Sequence, residues 1–370
     1  MMHAKTGVAA SGRHSSPTAI SWPQVAALIA LDLSLLLSWL AYDEFQPRLI
    51  ALRTGAESST MQVIQVAILV LTPPAAGYLT DRLLYRGGRR VAVVNLGISL
   101  AAMLFMATAL SIAAGAGNWL LVLIILWLIA MNLFHSPALS MLELYVPVDR
   151  LPGVAAVFAL LSGLAAALEP GLSDFIEGLG APLTFAMGGV AVAAAGVWFL
   201  VTARDFEIPN RAEEPLPATA APYTLVMPLG VGLVLGACEA VISDGLVPWI
   251  AQHGDLFAGI VPAWQSSLLF ALSALVAWPL GRIGNRCGAG KLALAGAAGA
   301  LALGLVAWQF PLPLAGYAFT AFPVAYAALG VSALPLVFEW LTPRHKVLGV
   351  GLLFSGIELV TGAADIAVAR

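Results

Sequence analysis

The chain has 370 residues, of which 60% are hydrophobic and 10% charged, with a formal net charge of −3. A soluble domain carries about 25% charged residues, so a chain this apolar is excluded from water over most of its surface and belongs in lipid. Its near-neutral balance excludes a nucleic-acid footprint, and Cys238 and Cys287 are too few and too separated for a disulfide framework or a metal site.

Taken in order, residues 1–21 form a polar tail with Lys5 and Arg13. The apolar run from Trp22 to Tyr42 follows; no small-residue cleavage pattern comes after it, so it reads as a retained helix rather than a signal peptide. Runs of about 20 apolar residues predict membrane-spanning helices. They fall at 22–42, 60–80, 91–113, 117–142, 152–169 and 181–202, making an N-terminal half over 22–203. A polar stretch with Pro209, Pro215 and Pro217 predicts a linker over 204–222. Further runs at 224–250, 263–281, 291–310, 314–341 and 347–369 make a C-terminal half over 223–370. Eleven spans are legible, and the twelfth that would complete a second set of six is absent before Arg370.

Lysine and arginine set the predicted orientation. Fourteen of the seventeen fall on one side of the spans, only Arg48 and Arg53 on the other, and Arg370 stands at the end. The crowded side is expected to be cytoplasmic, with the N-terminus there. The opposite loops are bare or acidic, as at Glu169, Asp174 and Glu177. Trp22, Trp119, Trp249, Trp264, Trp308 and Trp340 sit near span ends and read as interface anchors.

Several short patterns occur twice, about two hundred residues apart and in unchanged order. Asp43-x-x-x-Pro47 returns as Asp244-x-x-x-Pro248, and Gly77-x-x-x-Asp81-Arg82 as Gly281-x-x-x-Asn285-Arg286. Glu143-x-x-x-Pro147-x-x-Arg150 returns as Glu339-x-x-x-Pro343-x-x-Lys346, with Gly153-Val154 echoed by Gly349-Val350. One half of the chain therefore duplicates the other, the construction of secondary transporters, which hold substrate between halves near the bilayer midplane.

Gly77-Tyr-Leu-Thr-Asp81-Arg82 followed by Gly88-Arg89-Arg90 resembles the loop signature between the second and third helices of the major facilitator superfamily, here with extra residues before Gly88. The copy from Gly281 to Arg286 is degenerate, and the Glu143/Arg150 and Glu339/Lys346 pairs resemble acid–base pairs of sugar-porter-like members. Asn132-x-x-x-Ser136-Pro137-Ala138, with Pro147 ten residues on, is similar to the fourth helix of a sugar–proton symporter branch. The arginine that drug antiporters carry in that helix has no counterpart here. The resemblance implies an all-α fold of two six-helix halves related by a pseudo-two-fold, and transport by alternating access. It further implies a cytoplasmic gate in which Asp81, Arg82, Arg89 and Arg90 face Glu143 and Arg150, while Asn285, Arg286, Glu339 and Lys346 do the same in the second half. Gly77, Gly88 and Gly281 allow close approach there. A positive-inside bias alone explains Arg89 and Arg90 but not Asp81, Glu143 and Glu339.

An ionisable group inside a span costs about 2.5 kcal/mol or more and is a functional candidate. Asp32 lies mid-span in the first helix, Glu239 in the seventh and Glu358 in the eleventh. A carboxylate can take up and release a proton as its surroundings change from wet to dry, so Asp32 is expected to couple transport to protons or to touch substrate; a structural hydrogen bond is the alternative. In this family the first, fourth, seventh and tenth helices line the cavity, which places Asp32 and Glu239 ahead of Glu358. Asn132 and His135 are three apart, hence on one helix face, although a lone histidine is as often a packing residue. Gln62, Gln65, Asn95 and Gln265 are further polar candidates.

These features predict a proton-coupled secondary transporter of a small solute. It would be a multi-pass monomer in a bacterial inner membrane, with lipid, solute and protons as partners and no cofactor, metal or catalytic apparatus. A non-transporting protein of the same fold that assists assembly of a membrane complex is the alternative.

Overall fold

The computed structural model describes residues 17, 19–54, 58–115, 119–203, 222–246, 262–309 and 314–368. The expected tail and linker lie almost wholly outside these, as do Pro248, Trp249 and the side chains of Asp43, Pro47 and Asp244.

Long apolar sequence with no water to satisfy backbone groups leaves the helix as the favoured state. Among the described residues, the first half holds α1 (Trp22–Thr54), α2 (Ser58–Tyr85), α3 (Arg90–Ala113), α4 (Leu120–Ser140), α5 (Leu151–Ala167), α6 (Glu169–Leu179) and α7 (Ala181–Ala203). The second half holds α8 (Pro222–Ala240), extended by a π-helical turn (Val241–Leu246), then α9 (Pro262–Cys287), α10 (Ala289–Gln309), α11 (Leu314–Trp340) and α12 (Lys346–Val368). All but α6 contain a stretch long and apolar enough to cross a membrane, eleven in number, as the hydrophobic runs predict. Leu110, Leu294 and Leu301 stand exposed on the helix flanks, and so do Trp22, Trp119, Trp264, Trp308 and Trp340 near helix ends.

The turns follow the duplication. Gly87, between α2 and α3, and Gly288, between α9 and α10, both take positive φ (79° and 89°), a conformation that costs glycine little. Each therefore reverses the chain at the same place in its half.

Two features depart from the apolar pattern. α1 continues to Thr54, well past the apolar run, because charged residues there can stay helical outside the hydrocarbon: Arg48 bonds Glu44 at 3.0 Å, one turn away, and Glu177 at 2.7 Å. Glu177 lies on α6, so the segment expected as an acidic loop is instead a short amphipathic helix with its buried side at Ile176.

Inside the first half, an aromatic nucleus binds α1, α3, α4 and α7. Tyr42 stacks on Trp127 at 4.9 Å and Phe105 meets the same ring edge-on at 4.8 Å, with Trp39 and Phe185 alongside. The two halves meet chiefly where α2 lies against α12 and α5 against α9. Small residues permit this. A Cβ on Gly351 would lie 2.4 Å from the Pro73 carbonyl oxygen, and one on Gly77 would lie 2.6 Å from that of Val347. On the other seam, a Cβ on Gly281 would lie 2.4 Å from Ala156 Cβ, and one on Gly163 would lie 2.9 Å from Ala274 Cβ. Ser355 adds a hydroxyl bond to the Val70 carbonyl across the α2–α12 seam.

Because backbone cannot yield as a flexible side chain does, Gly351→Ala is expected to lower stability by about 1–3 kcal/mol. Gly304→Ala, with nothing within 4 Å of the added methyl, should be neutral. Thermal melting of the two variants in detergent measures the contrast.

Candidate functional site

The mid-span carboxylate of α1 is met by two other helices of its own half. His135 Nε2, from α4, lies 3.3 Å from Asp32 Oδ1, and Ser162 Oγ, from α5, donates to Asp32 Oδ2 at 3.4 Å. The Asp32 and His135 side chains are 16% and 24% exposed, so the pair is shielded but reachable. The far face of the imidazole is covered from the second half: the Phe354 ring of α12 lies 4.6 Å from it, tilted by 40°. Glu358 follows Phe354 by one turn on the same face of α12. Asn132 does not join. Its Nδ2 donates back to the Leu128 carbonyl of its own helix at 2.9 Å.

A second carboxylate pair occupies the matching helices of the other half. Tyr326 OH, from α11, donates to Glu239 Oε2, from α8, at 3.2 Å. The Phe270 ring of α9 meets Tyr326 edge-on at 6.3 Å. Each half thus pairs a carboxylate on its first helix with a titratable ring on its fourth. Of the other polar candidates, Gln65 accepts from Tyr42 OH at 3.2 Å, Gln265 is buried and Asn95 is exposed away from the site.

At the basic end of the bundle the halves are tied together. Asp81 Oδ2 of α2 accepts the backbone N–H of Leu348, the third residue of α12, at 2.9 Å, and Asn285 Oδ1 of α9 accepts that of Gly153, the third residue of α5, at 2.8 Å. Both satisfy a first-turn amide that the helix itself leaves unpaired; Asp81 adds a negative charge at the positive end of the helix dipole. The repeat detected in sequence is therefore a repeat of contacts, each crossing between halves.

Of the charges expected to face one another in the first half, Arg90 Nη2 binds Glu143 at 2.7 Å and also donates from Nη1 to the Ser140 carbonyl at 2.9 Å. Lys346, expected to act within the second half, instead crosses to the same Glu143 carboxyl at 2.5 Å. Arg90 and Glu143 are 3% and 9% exposed. Lys346 reaches across to the first half because it opens α12, whose N-terminus Asp81 holds against α2. Arg150 turns outward to Asp149 at 3.4 Å, while Arg82, Arg89, Arg286 and Glu339 are exposed. Gly88 packs on Leu83. Among the described residues no matching triad forms at Glu339, and α10 opens on Ala289 where α3 opens on Arg90. A cavity of about 460 Å³ lies there, lined by Asn285, Ala289, Glu339 and Asp149.

Ser162, Tyr326 and Phe354 were not singled out in the sequence. A serine, a tyrosine and a phenylalanine within long apolar helices carry no periodic signal, and only the crossing of helices makes them partners.

No family model matches the chain, and no curated protein matches it. Solved structures do. The human organic anion transporter MFSD10 (TETRAN) superposes with a TM-score of 0.61 at 16% identity, over 94% of this chain and 93% of that one. The major facilitator superfamily transporter FucP, in the outward conformation, gives 0.66 at 11% identity over 92% and 89%. A bacterial homologue of the iron transporter ferroportin, in an outward-facing state, gives 0.61 at 15% over 93% and 90%. The fold is the one these transporters share.

Removing the centre of a buried charge network leaves its partners without compensation, at about 3–5 kcal/mol. Glu143→Gln is expected to destabilise the protein by that order, while Arg150→Ala, which loses only an exposed pair, should change stability by less than about 0.5 kcal/mol. Melting curves of the two variants weigh the Arg90–Glu143–Lys346 triad against the exposed Arg150.

Proposed function

We propose that this chain, built on the major facilitator superfamily fold, is a secondary transporter that moves a small solute by alternating access, coupled to proton movement at Asp32. The observation that carries the reading is the Asp32–His135–Ser162 contact, an ionisable cluster inside the membrane at the meeting of α1, α4 and α5. Such groups are costly in lipid and are retained where they do chemistry.

The placement of the cluster supplies a coupling route. Ser162 precedes Gly163, which abuts Ala274 of α9, and Phe354 precedes Ser355, which bonds Val70 of α2. Protonation of Asp32 removes the charge that holds the Ser162 hydroxyl and the His135 ring, and so loosens α5 and α4 from α1 beside both seams. At the basic end, Asp81, Asn285 and the Glu143 triad would hold that side closed in this state and part in the other, so the exposed remainder of the gate charges contributes little. In this reading the basic end faces the cytoplasm, the protein sits as a monomer in a bacterial inner membrane, and protons and solute are its partners.

Reconstitution into liposomes with an internal pH-sensitive dye tests the proposal. Solutes drawn from sugars, organic acids, peptides and amines are presented under an imposed pH gradient. Solute-dependent proton flux is expected for the wild type, with Asp32→Asn falling to the rate of empty liposomes and Arg150→Ala unaffected. Equal flux in wild type and Asp32→Asn would remove Asp32 from coupling. Absence of any solute-dependent flux would favour the scaffold reading, provided that Asp32→Asn also corrects the phenotype of a deletion strain.

A further inference from the structure

We infer that the Glu239–Tyr326 pair of the second half is the subsite that receives the charged group of the solute, and that this group is an organic cation, such as a quaternary or protonated amine. The inference rests on the transport reading and assigns the two carboxylate pairs different work.

The pairs differ in their own chemistry. Asp32 has His135 beside it, a side chain that can itself become positive, so the protein can neutralise Asp32 internally. Glu239 has no such partner. Among the described residues its side chain is bonded by the neutral Tyr326 phenol, and no salt bridge joins Glu239 to a lysine or arginine. Glu239 is half-buried, and an ionised carboxylate drawn partly out of water is costly unless a counter-charge joins it. With none paired to it among the described residues, a ligand can supply it.

The surroundings select the kind of cation. The Tyr326 ring and the Phe270 ring beyond it offer π-faces, which attract ammonium groups. A hard divalent metal ion requires several oxygen ligands converging at once, and among the described residues no three His, Cys, Asp or Glu side chains converge. The same lack of a cation paired at Glu239 makes an organic anion a poor fit there, although one of the structural neighbours carries anions.

Carbodiimide labelling of Glu239 in the purified full chain, read by mass spectrometry, tests the inference without altering the protein. The probes are benzyltrimethylammonium, benzyl alcohol and phenylmethanesulfonate, alike in ring and different in charge. Benzyltrimethylammonium at ten times its dissociation constant is expected to slow labelling of Glu239 about tenfold, with no slowing by the alcohol or the sulfonate. Its stabilisation of the protein against melting should vanish in Glu239→Gln and persist, weakened, in Tyr326→Phe. Equal protection by all three probes would overturn the cation assignment, as would protection by none. Either failure leaves the transport reading to the proton flux of Asp32→Asn, which is measured independently.

Discussion

The arrangement depends on how closely the two half-bundles approach along two seams. α2 meets α12 and α5 meets α9 at backbone distance, because Gly77, Gly351, Gly281 and Gly163 leave no side chain in the way. In lipid there is little hydrophobic gain from bringing helices together, so van der Waals contact and interhelical hydrogen bonds must do the work. Small residues permit both. They bring Asp81 within reach of an amide of α12, and Asn285 within reach of an amide of α5.

The same seams explain why the mid-membrane cluster is well placed to influence the whole molecule. Asp32 belongs to α1, which lies at neither seam, yet its partner Ser162 and the ring over His135 come from α5 and α12, one helix from each. A change in charge at one carboxylate therefore bears on residues whose immediate neighbours hold the halves together. Packed interfaces of this kind are bistable rather than continuously deformable, which is how a local change becomes a global one.

The duplication is also informative where it fails. Glu143 of the first half is buried in a triad with Arg90 and the second half's Lys346, whereas Glu339 is exposed beside a cavity. The neutral Asn285 replaces Asp81, so the contact keeps its hydrogen bond and loses its charge. Mid-membrane, a carboxylate beside a histidine in one half faces a carboxylate beside a tyrosine in the other. The two copies have retained a common skeleton of contacts and diverged in charge, which is the opening for two different tasks.

Much of this was legible in the linear chain. Apolar runs set eleven spans within a few residues, since the hydrocarbon thickness leaves few other lengths, and repeated Gly–acid–basic patterns marked corresponding ends of the two halves. Asp32, Glu239 and His135 stood out because an ionisable group in lipid is rare and costly. Partner choice was not legible. Lys346 pairs with Glu143 and not with Glu339, and Arg150 turns outward, because helix ends distant in sequence are brought together by the seams and not by spacing along the chain. Ser162, Tyr326 and Phe354 are ordinary residues until helices cross at them, and α6 hid in a short polar stretch below the length at which periodicity declares itself. The sequence by itself determined what must lie in the membrane and which charges are out of place there, because solvation energy belongs to each residue singly. Only the tertiary structure decided which of those charges meet, because an interaction belongs to pairs and depends on where helices far apart in the chain come to rest.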